Sequence, residues 1–109
     1  MQWSVVFLND VVEEEFRALP KDMQARLVRI SELIETYGIE QVGMPHVRHL
    51  EDKLWEMRAK GKAGISRGIY VALSGRRVVI LRIFVKKTQK TPRAEIRLAL
   101  DRMKELQDG

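Results

Sequence analysis

Residues 77–92 begin as the most apolar run of the chain and end in a group of lysines: Arg77-Val78-Val79-Ile80-Leu81-Arg82-Ile83-Phe84-Val85-Lys86-Lys87-Thr88-Gln89-Lys90-Thr91-Pro92. The run from Val78 to Val85 is short and rich in β-branched residues, which favours a central β-strand over a helix. Thr91 is expected to cap a helix that has Pro92 at its first position. Lysines that lie between the end of a strand and the start of a helix are suited to bind an anion. The alternative is a basic loop that is only exposed to solvent.

Charge is divided unevenly along the chain. The net charge is +5, but residues 1–52 hold 5 Lys/Arg and 10 Asp/Glu, whereas residues 53–109 hold 15 Lys/Arg and 5 Asp/Glu. Between Lys53 and Arg93 there are 12 basic residues and one acid, Glu56. Such a block predicts a polyanionic partner, either nucleic acid or an acidic protein segment. A basic surface without a ligand is the alternative.

Length and composition limit the remaining possibilities. A chain of 109 residues fits one domain, which we expect over residues 1–109. The chain has no Cys, which fits a reducing compartment, and we expect a cytoplasmic protein because no signal peptide or membrane-length apolar run is visible. His46 and His49 form too weak a pattern for a metal site, so neither a metal nor another cofactor is expected.

The remaining periodicities predict an α+β fold with the element order β-α-α-β-β-β-α. Strands are expected at residues 3–8, 53–59, 65–73 and 78–85, and helices from residue 9 or 10 to 19, 20 to 37 and 92 to 107. Residues 39–52 are expected to form a connection, residues 60–64 a flexible basic loop, and residues 74–76 a hairpin turn. Short loops between the last three strands imply an antiparallel meander with helices packed on the sheet. Trp55, Met57 and Phe84 are interpreted as core residues.

The chemistry of the basic half rests on arginines carried by strands. Arg58, Arg67 and Arg82 are predicted to lie near Lys86 and Lys87. Arg grips phosphate with a planar fork, and a Lys whose pKa is lowered by clustered charge and partial burial can transfer protons. These groups suffice for metal-free cleavage of RNA: Lys accepts the 2′-hydroxyl proton, Arg stabilises the phosphorane, and a second Lys or a water protonates the leaving oxygen.

Three blocks of sequence resemble the HigB-type, phage-derived branch of the RelE/ParE toxin superfamily. They are Leu54-Trp55-Glu56-Met57-Arg58, Arg67-Gly68-Ile69-Tyr70, and residues 81–92, with Glu95 and Ala99 in the following helix. The resemblance covers nearly the whole chain and implies a RelE-like α+β fold. It also implies a metal-independent mRNA interferase that cuts messages on the ribosome and has no membrane partner. Such toxins are usually encoded beside a helix-turn-helix antitoxin, so operator DNA is contacted only through that antitoxin.

The resemblance also suggests site residues. The expected catalytic residues are Arg58, Arg67, Lys86 and Lys87, and the expected RNA-binding residues are Lys53, Lys60, Lys62, Arg82, Lys90 and Arg93. Glu56 stands where some relatives carry a catalytic lysine, and no Tyr or His follows Tyr70 to match a catalytic residue near the C-terminus. Because Arg67 and Lys86 are polar positions outside the apolar stripes, alanine at either one is expected to leave the fold intact.

Two rival functions remain open from the sequence. One is a non-enzymatic poison of DNA gyrase, like ParE, built on the same fold. The other is a nucleic-acid-binding or protein-binding module without toxicity. The Lys/Arg cluster favours the ribonuclease, because a gyrase poison does not need it. Two docking surfaces also remain open for the antitoxin: the basic surface itself or the Glu-rich helices between Asn9 and Gly38.

Overall fold

A computed structural model describes residues 2–43 and 45–108 and has an α+β fold, as predicted. Its elements are β1 (Ser4–Phe7), α1 (Asp10–Arg17), α2 (Lys21–Tyr37), β2 (Val47–Glu51), β3 (Leu54–Gly61), β4 (Gly64–Leu73), β5 (Arg77–Lys86) and α3 (Arg93–Asp108). Within the described residues, no helix is both long and apolar enough to span a membrane.

The strands form a single sheet with the order β1-β5-β4-β3-β2. β1 pairs with β5 in parallel, and the other neighbours are antiparallel. β5 therefore lies inside the sheet, as its apolar sequence predicted. The predicted flexible loop at residues 60–64 is instead a tight turn between β3 and β4, in which Gly64 has φ +134°. An added Cβ at Gly64 would lie 3.1 Å from the Lys86 carbonyl oxygen, so this position requires glycine.

One strand was absent from the predicted order. Residues 39–52 were expected to form a connection, but Val47–Glu51 pairs with β3 as the edge strand β2. Its pairing register shifts between His49 and Glu51, so β2 is short and irregular. The sequence in this strand lacks the alternation of apolar and polar residues that identifies a half-buried strand.

Helices cover both faces of the sheet. The α1/α2 face buries Val12, Met23, Leu27, Ile30, Ile34, Met57, Tyr70 and Ile80. The α3 face buries Leu54, Ile69, Val71, Leu81, Phe84, Ile96 and Ala99. The core predictions for Met57 and Phe84 are confirmed. The prediction for Trp55 is wrong, because its side chain is 39% exposed and packs beside the His49 ring at the sheet edge.

Two charged side chains cover the part of β5 that lies beyond β1. The Leu81 carbonyl accepts a hydrogen bond of 2.9 Å from Arg102 on α3, and the Ile83 N–H donates one of 3.1 Å to Glu15 on α1. Glu15 and Arg102 also pair with each other at 2.8 Å. Burial alone would raise the pKa of Glu15, but hydrogen bonds from Arg102 and the Ile83 N–H and the charges of Arg82 and Arg102 lower it below its usual value.

Candidate functional site

Strand register brings several predicted site residues onto the α3 face of the sheet. Arg58 on β3 lies opposite Arg67 on β4, which in turn lies opposite Phe84 on β5. Residues directly opposite one another in antiparallel strands project to the same face. Farther along the same strands, Lys60 and Lys86 lie on either side of Ile65. Four of the predicted residues, Arg58, Arg67, Lys60 and Lys86, thus occupy neighbouring positions on three adjacent strands.

A fully buried carboxylate organises this face. Glu56 Oε1 lies 3.1 Å from Arg58 Nε, and Glu56 Oε2 accepts a hydrogen bond of 2.6 Å from the Thr91 hydroxyl. Thr91 was predicted to cap α3, but its hydroxyl is directed to Glu56 instead. The Pro92 carbonyl accepts the first backbone hydrogen bonds of α3, from Glu95 and Ile96. The prediction of Thr91 as N-cap is therefore wrong, because a buried charge competes for the same hydroxyl.

Arg67 is also fully buried. Its guanidinium carbon lies 5.9 Å from the centre of the Phe84 ring, and its Nη1 donates to the Thr91 hydroxyl at 3.5 Å. Neither Nε nor Nη2 has a hydrogen-bond partner among the described residues. Burial lowers the pKa of Arg67, Glu56 opposes this change, and the charges of Arg58 and Arg48 lower the pKa further. Alanine at Arg67 would leave the Glu56 charge with one cation fewer, so from the structure we expect this substitution to destabilise the fold, in contrast to the expectation from the sequence.

Arg58 connects the buried carboxylate to the lysine loop. The Arg58 side chain is 12% exposed, and its Nη2 donates a hydrogen bond of 2.6 Å to the Gln89 carbonyl. Glu56 therefore holds the loop at two points, at Gln89 through Arg58 and directly at Thr91. Lys90 lies between these points, so the backbone that carries this exposed lysine is held on both sides. Sequence reasoning identified Arg58 but not the connection, which joins residues 31 apart.

The three lysines at the end of β5 are in solvent. Lys86, Lys87 and Lys90 are all exposed, so the partial burial expected for a proton-transferring lysine is not found. The backbone that carries them is nevertheless constrained: a Cβ added at Gly64 would lie 3.1 Å from the Lys86 carbonyl oxygen and 3.3 Å from Lys87 Cγ, and the two anchors described above hold the residues that follow. The arrangement presents exposed cations beside a buried, charged cluster.

The predicted RNA-binding residues fall into two groups. Lys53, Lys60, Lys62 and Lys90 are exposed, although Lys53 lies at the opposite end of β3 from Lys60. Arg82 and Arg93 are instead paired with acids of the fold. Arg82 contacts Glu15 at 2.8 Å and Glu95 at 2.7 Å, and Arg93 pairs with Glu51. Burial would lower the pKa of Arg82, but the hydrogen bonds and charges of these two glutamates raise it. This geometry favours a structural role for Arg82.

Arg48 belongs to the site and was not identified from the sequence. It lies opposite Glu56 in the β2–β3 register, and its charge acts on Arg67. The only signal for it would have been recognition of β2, because opposing residues of paired strands share a face. Once that strand was assigned to a connection, nothing linked Arg48 to Glu56.

Comparisons with known proteins identify a family and a fold. Residues 14–104 match the family model described as phage-derived protein Gp49-like. No curated protein matches the chain. A double arginine-to-alanine mutant of the Escherichia coli toxin RelE in its free state has a similar structure, with a TM-score of 0.60, 17% identity, and coverage of 94% of this chain and 99% of that one. The archaeal RelE–RelB complex from Pyrococcus horikoshii OT3 is also similar, with a TM-score of 0.57, 23% identity, and coverage of 83% and 100%. At these identities the likeness establishes a RelE-like fold.

Proposed function

The chain belongs to the phage-derived Gp49-like family, and from this membership we propose that it is the toxin of a type II toxin–antitoxin pair. The RelE-like fold supports the proposal, since one similar structure is a toxin and the other is a RelE–RelB complex. Within the RelE/ParE superfamily we assign the chain to the HigB-type branch, on the sequence blocks that contain Arg58, Arg67 and the lysines at the end of β5.

The proposed activity is endonucleolytic cleavage of mRNA on the ribosome, without a metal ion. The observation that carries it is the row formed by Arg58 and Arg67 across β3 and β4, beside exposed Lys86. Of these two arginines Arg58 is the less buried, and it would bind the non-bridging oxygens of the phosphate. One of Lys86 and Lys87, in its neutral form, would accept the 2′-hydroxyl proton as that oxygen forms a bond to phosphorus. The other, as an ammonium, would protonate the 5′-oxygen as its bond to phosphorus breaks. Arg67 lies beneath them and would raise the positive potential at the phosphate while holding the cluster in place.

Partners and location follow from this activity. The ribosome and its mRNA are the targets, which places the protein in the cytoplasm. Lys60, Lys62 and Lys90 would bind RNA phosphates. A helix-turn-helix antitoxin would neutralise the toxin and would be its only link to operator DNA.

Primer extension on cellular mRNA after induction tests the proposal. The parent chain should arrest growth and produce new 5′ ends within translated messages. Lys86→Ala with Lys87→Ala should suppress cleavage by about 10²–10³, the cost of losing a transition-state charge contact. Because both side chains are exposed, the variant should stay folded, which circular dichroism checks. Lys104→Ala, an exposed lysine on α3, is the matched control and should retain full activity.

Two results would contradict this assignment. If the folded double variant cleaves like the parent chain, Lys86 and Lys87 do not perform the chemistry. If the parent chain arrests growth without new 5′ ends, mRNA cleavage is wrong. Inhibition of purified DNA gyrase by the same protein would then establish the ParE-like alternative.

A further inference from the structure

An open cleft of about 640 Å³ lies along the free edge of β3, next to the cluster around Glu56 and sharing Arg58 with it. Pairing between β2 and β3 ends near His46, whose carbonyl accepts the Arg58 N–H. Beyond that point α2 borders the edge of β3, and the cleft lies between them. The volume falls within the range of about 300–1,000 Å³ that is typical of small-molecule sites.

Cations from two elements face this cleft. Arg26 and Arg29 come from α2, and Arg58 and Lys60 come from β3. No Asp or Glu is among the described residues that line it. The Arg26 guanidinium donates a hydrogen bond to the Lys60 carbonyl, which joins the two walls. Arg29 is exposed and has no ion pair or hydrogen bond among the described residues. The cleft therefore offers an uncompensated positive charge to an anion.

The rest of the lining is suited to a flat apolar group. Ile30 and Leu33 of α2 and Ala59 of β3 supply aliphatic surface, and the Pro45 and His46 rings stand at one end. Gln89 also lines the cleft and adds amide and carbonyl groups that can make directional hydrogen bonds. Aliphatic surface with a ring nearby binds a nucleobase, and arginines bind its phosphate. The combination matches one nucleotide in size and in polarity.

We propose that this cleft binds one nucleotide of an RNA chain next to the cleaved bond, with its phosphate at Arg26 and Arg29 and its base over Ile30 and Leu33. RNA is favoured over a free nucleotide because Arg58 belongs to both sites, so a strand that reaches Arg58 from the sheet continues directly into the cleft. The role in cleavage rests on the proposed function, whereas the binding itself does not.

Binding to an uncleavable oligonucleotide tests the proposal. A fluorescent 2′-O-methyl RNA hexanucleotide is titrated with the protein at several salt concentrations, and anisotropy is recorded. Arg29→Gln should weaken binding by about five- to tenfold and make the salt slope less steep by about 0.7, the value of one phosphate contact on a single strand. Arg77→Gln removes the same charge from an exposed position at the opposite end of β5 from Lys86, and should change affinity by less than about twofold.

A second measurement probes the base. Hexanucleotides with one abasic position, moved stepwise along the chain, should lose at least about fivefold in affinity at a single position, as expected for one stacked base. In the Arg29→Gln variant, removal of the base at that same position should still weaken binding, because Ile30 and Leu33 are unchanged.

The outcomes are distinct. The proposal is overturned if the hexanucleotide does not bind, if Arg29→Gln and Arg77→Gln bind equally well, or if adenosine monophosphate binds as tightly as the hexanucleotide. The last result would assign the cleft to free nucleotides. If the parent chain cuts mRNA and Arg29→Gln binds and cuts at the parent level, the subsite is wrong and the proposed function stands. If the parent chain does not cut but binding depends on Arg29, the subsite stands and the proposed function fails.

Discussion

Removal of the buried cation Arg67 should cost the protein a large part of its stability. In Arg67→Met the new side chain fills most of the same space, so the main loss is electrostatic. Glu56 remains fully buried, with Arg58 Nε at 3.1 Å and the Thr91 hydroxyl at 2.6 Å as its remaining partners. Among the described residues no direct ion pair joins Arg67 to Glu56; they interact by charge and through the Thr91 hydroxyl, so we expect a loss of about 3 kcal/mol, the lower end of the roughly 3–5 kcal/mol typical when a buried charge loses its partner. Since domains of this size are stable by about 5–15 kcal/mol, the variant should lose roughly a fifth or more of its free energy of unfolding.

Urea denaturation at 25 °C, followed by far-ultraviolet circular dichroism, measures this loss of free energy directly. Thermal denaturation followed by the same signal gives the melting temperature. A loss of about 3 kcal/mol should lower the melting temperature by roughly 12 °C or more, because each kcal/mol corresponds to about 4–8 °C in a small domain. The control is Glu56→Gln in the Arg67→Met background. Gln keeps an acceptor for the Thr91 hydroxyl but removes the charge that Arg67 had balanced.

The double variant should therefore regain at least about 1.5 kcal/mol relative to the sum of the single losses, a coupling within the range found for contacting residues. Two results would refute this reasoning: a loss below about 1 kcal/mol in Arg67→Met, or losses that simply add in the double variant. Either one would mean that Glu56 and Arg67 do not depend on each other.

Three further predictions concern other parts of the molecule. The lowered pKa of Glu15 contributes stability that is present above its unfolded-state value of about 4.3 and is lost as the pH falls through the lower folded-state value. In urea titrations Glu15→Gln should therefore be less stable than the parent chain at pH 7, and the difference should shrink as the pH falls below the unfolded-state value. Gly64→Ala should lose about 1–3 kcal/mol in the same assay, whereas Gly43→Ala, where an added Cβ meets nothing within 4 Å, should change stability by less than about 0.5 kcal/mol. If the antitoxin docks on the basic surface, Lys87→Glu with Lys90→Glu should slow its association about tenfold at low salt in stopped-flow mixing, and an unchanged rate would move the docking surface to α1 and α2.

Local patterns in the sequence were sufficient for most of the fold. β5 was found from its β-branched run and α2 from its apolar spacing up to Gly38. α1 was found from a start at residue 9 or 10, and the structure shows that Asn9 is the cap, since its side chain accepts the Val12 N–H. β2 was missed because edge strands are defined by the neighbour they pair with, and Val47–Glu51 carries no alternation of its own. Trp55 was assigned to the core on residue type alone, yet on β3, beside His49 of the edge strand, its side chain is 39% exposed.

The site was harder to predict because its residues are joined over long separations. The sequence indicated Arg58, Arg67 and Lys86, and the register confirms that they share a face. Thr91 has the local environment of a helix cap, but the acceptor of its hydroxyl is Glu56, 35 residues away. Arg82 resembles the other strand arginines, yet α1 and α3 each contribute a glutamate to it. A charge count treats these arginines alike, whereas the fold leaves some for a ligand and neutralises others.

The pairing of Glu15 with Arg102 has a consequence for self-association. An uncovered strand edge is a template on which another chain can add a strand, the first step toward swapped dimers or fibrils. β1 covers only the first part of β5, and the carboxylate and guanidinium occupy the hydrogen-bonding positions at Leu81 and Ile83 that an incoming strand would need. Because the two side chains come from α1 and α3, near opposite ends of the chain, this edge is closed only after both helices have docked. Aggregation is therefore most favoured during synthesis, before α3 has formed.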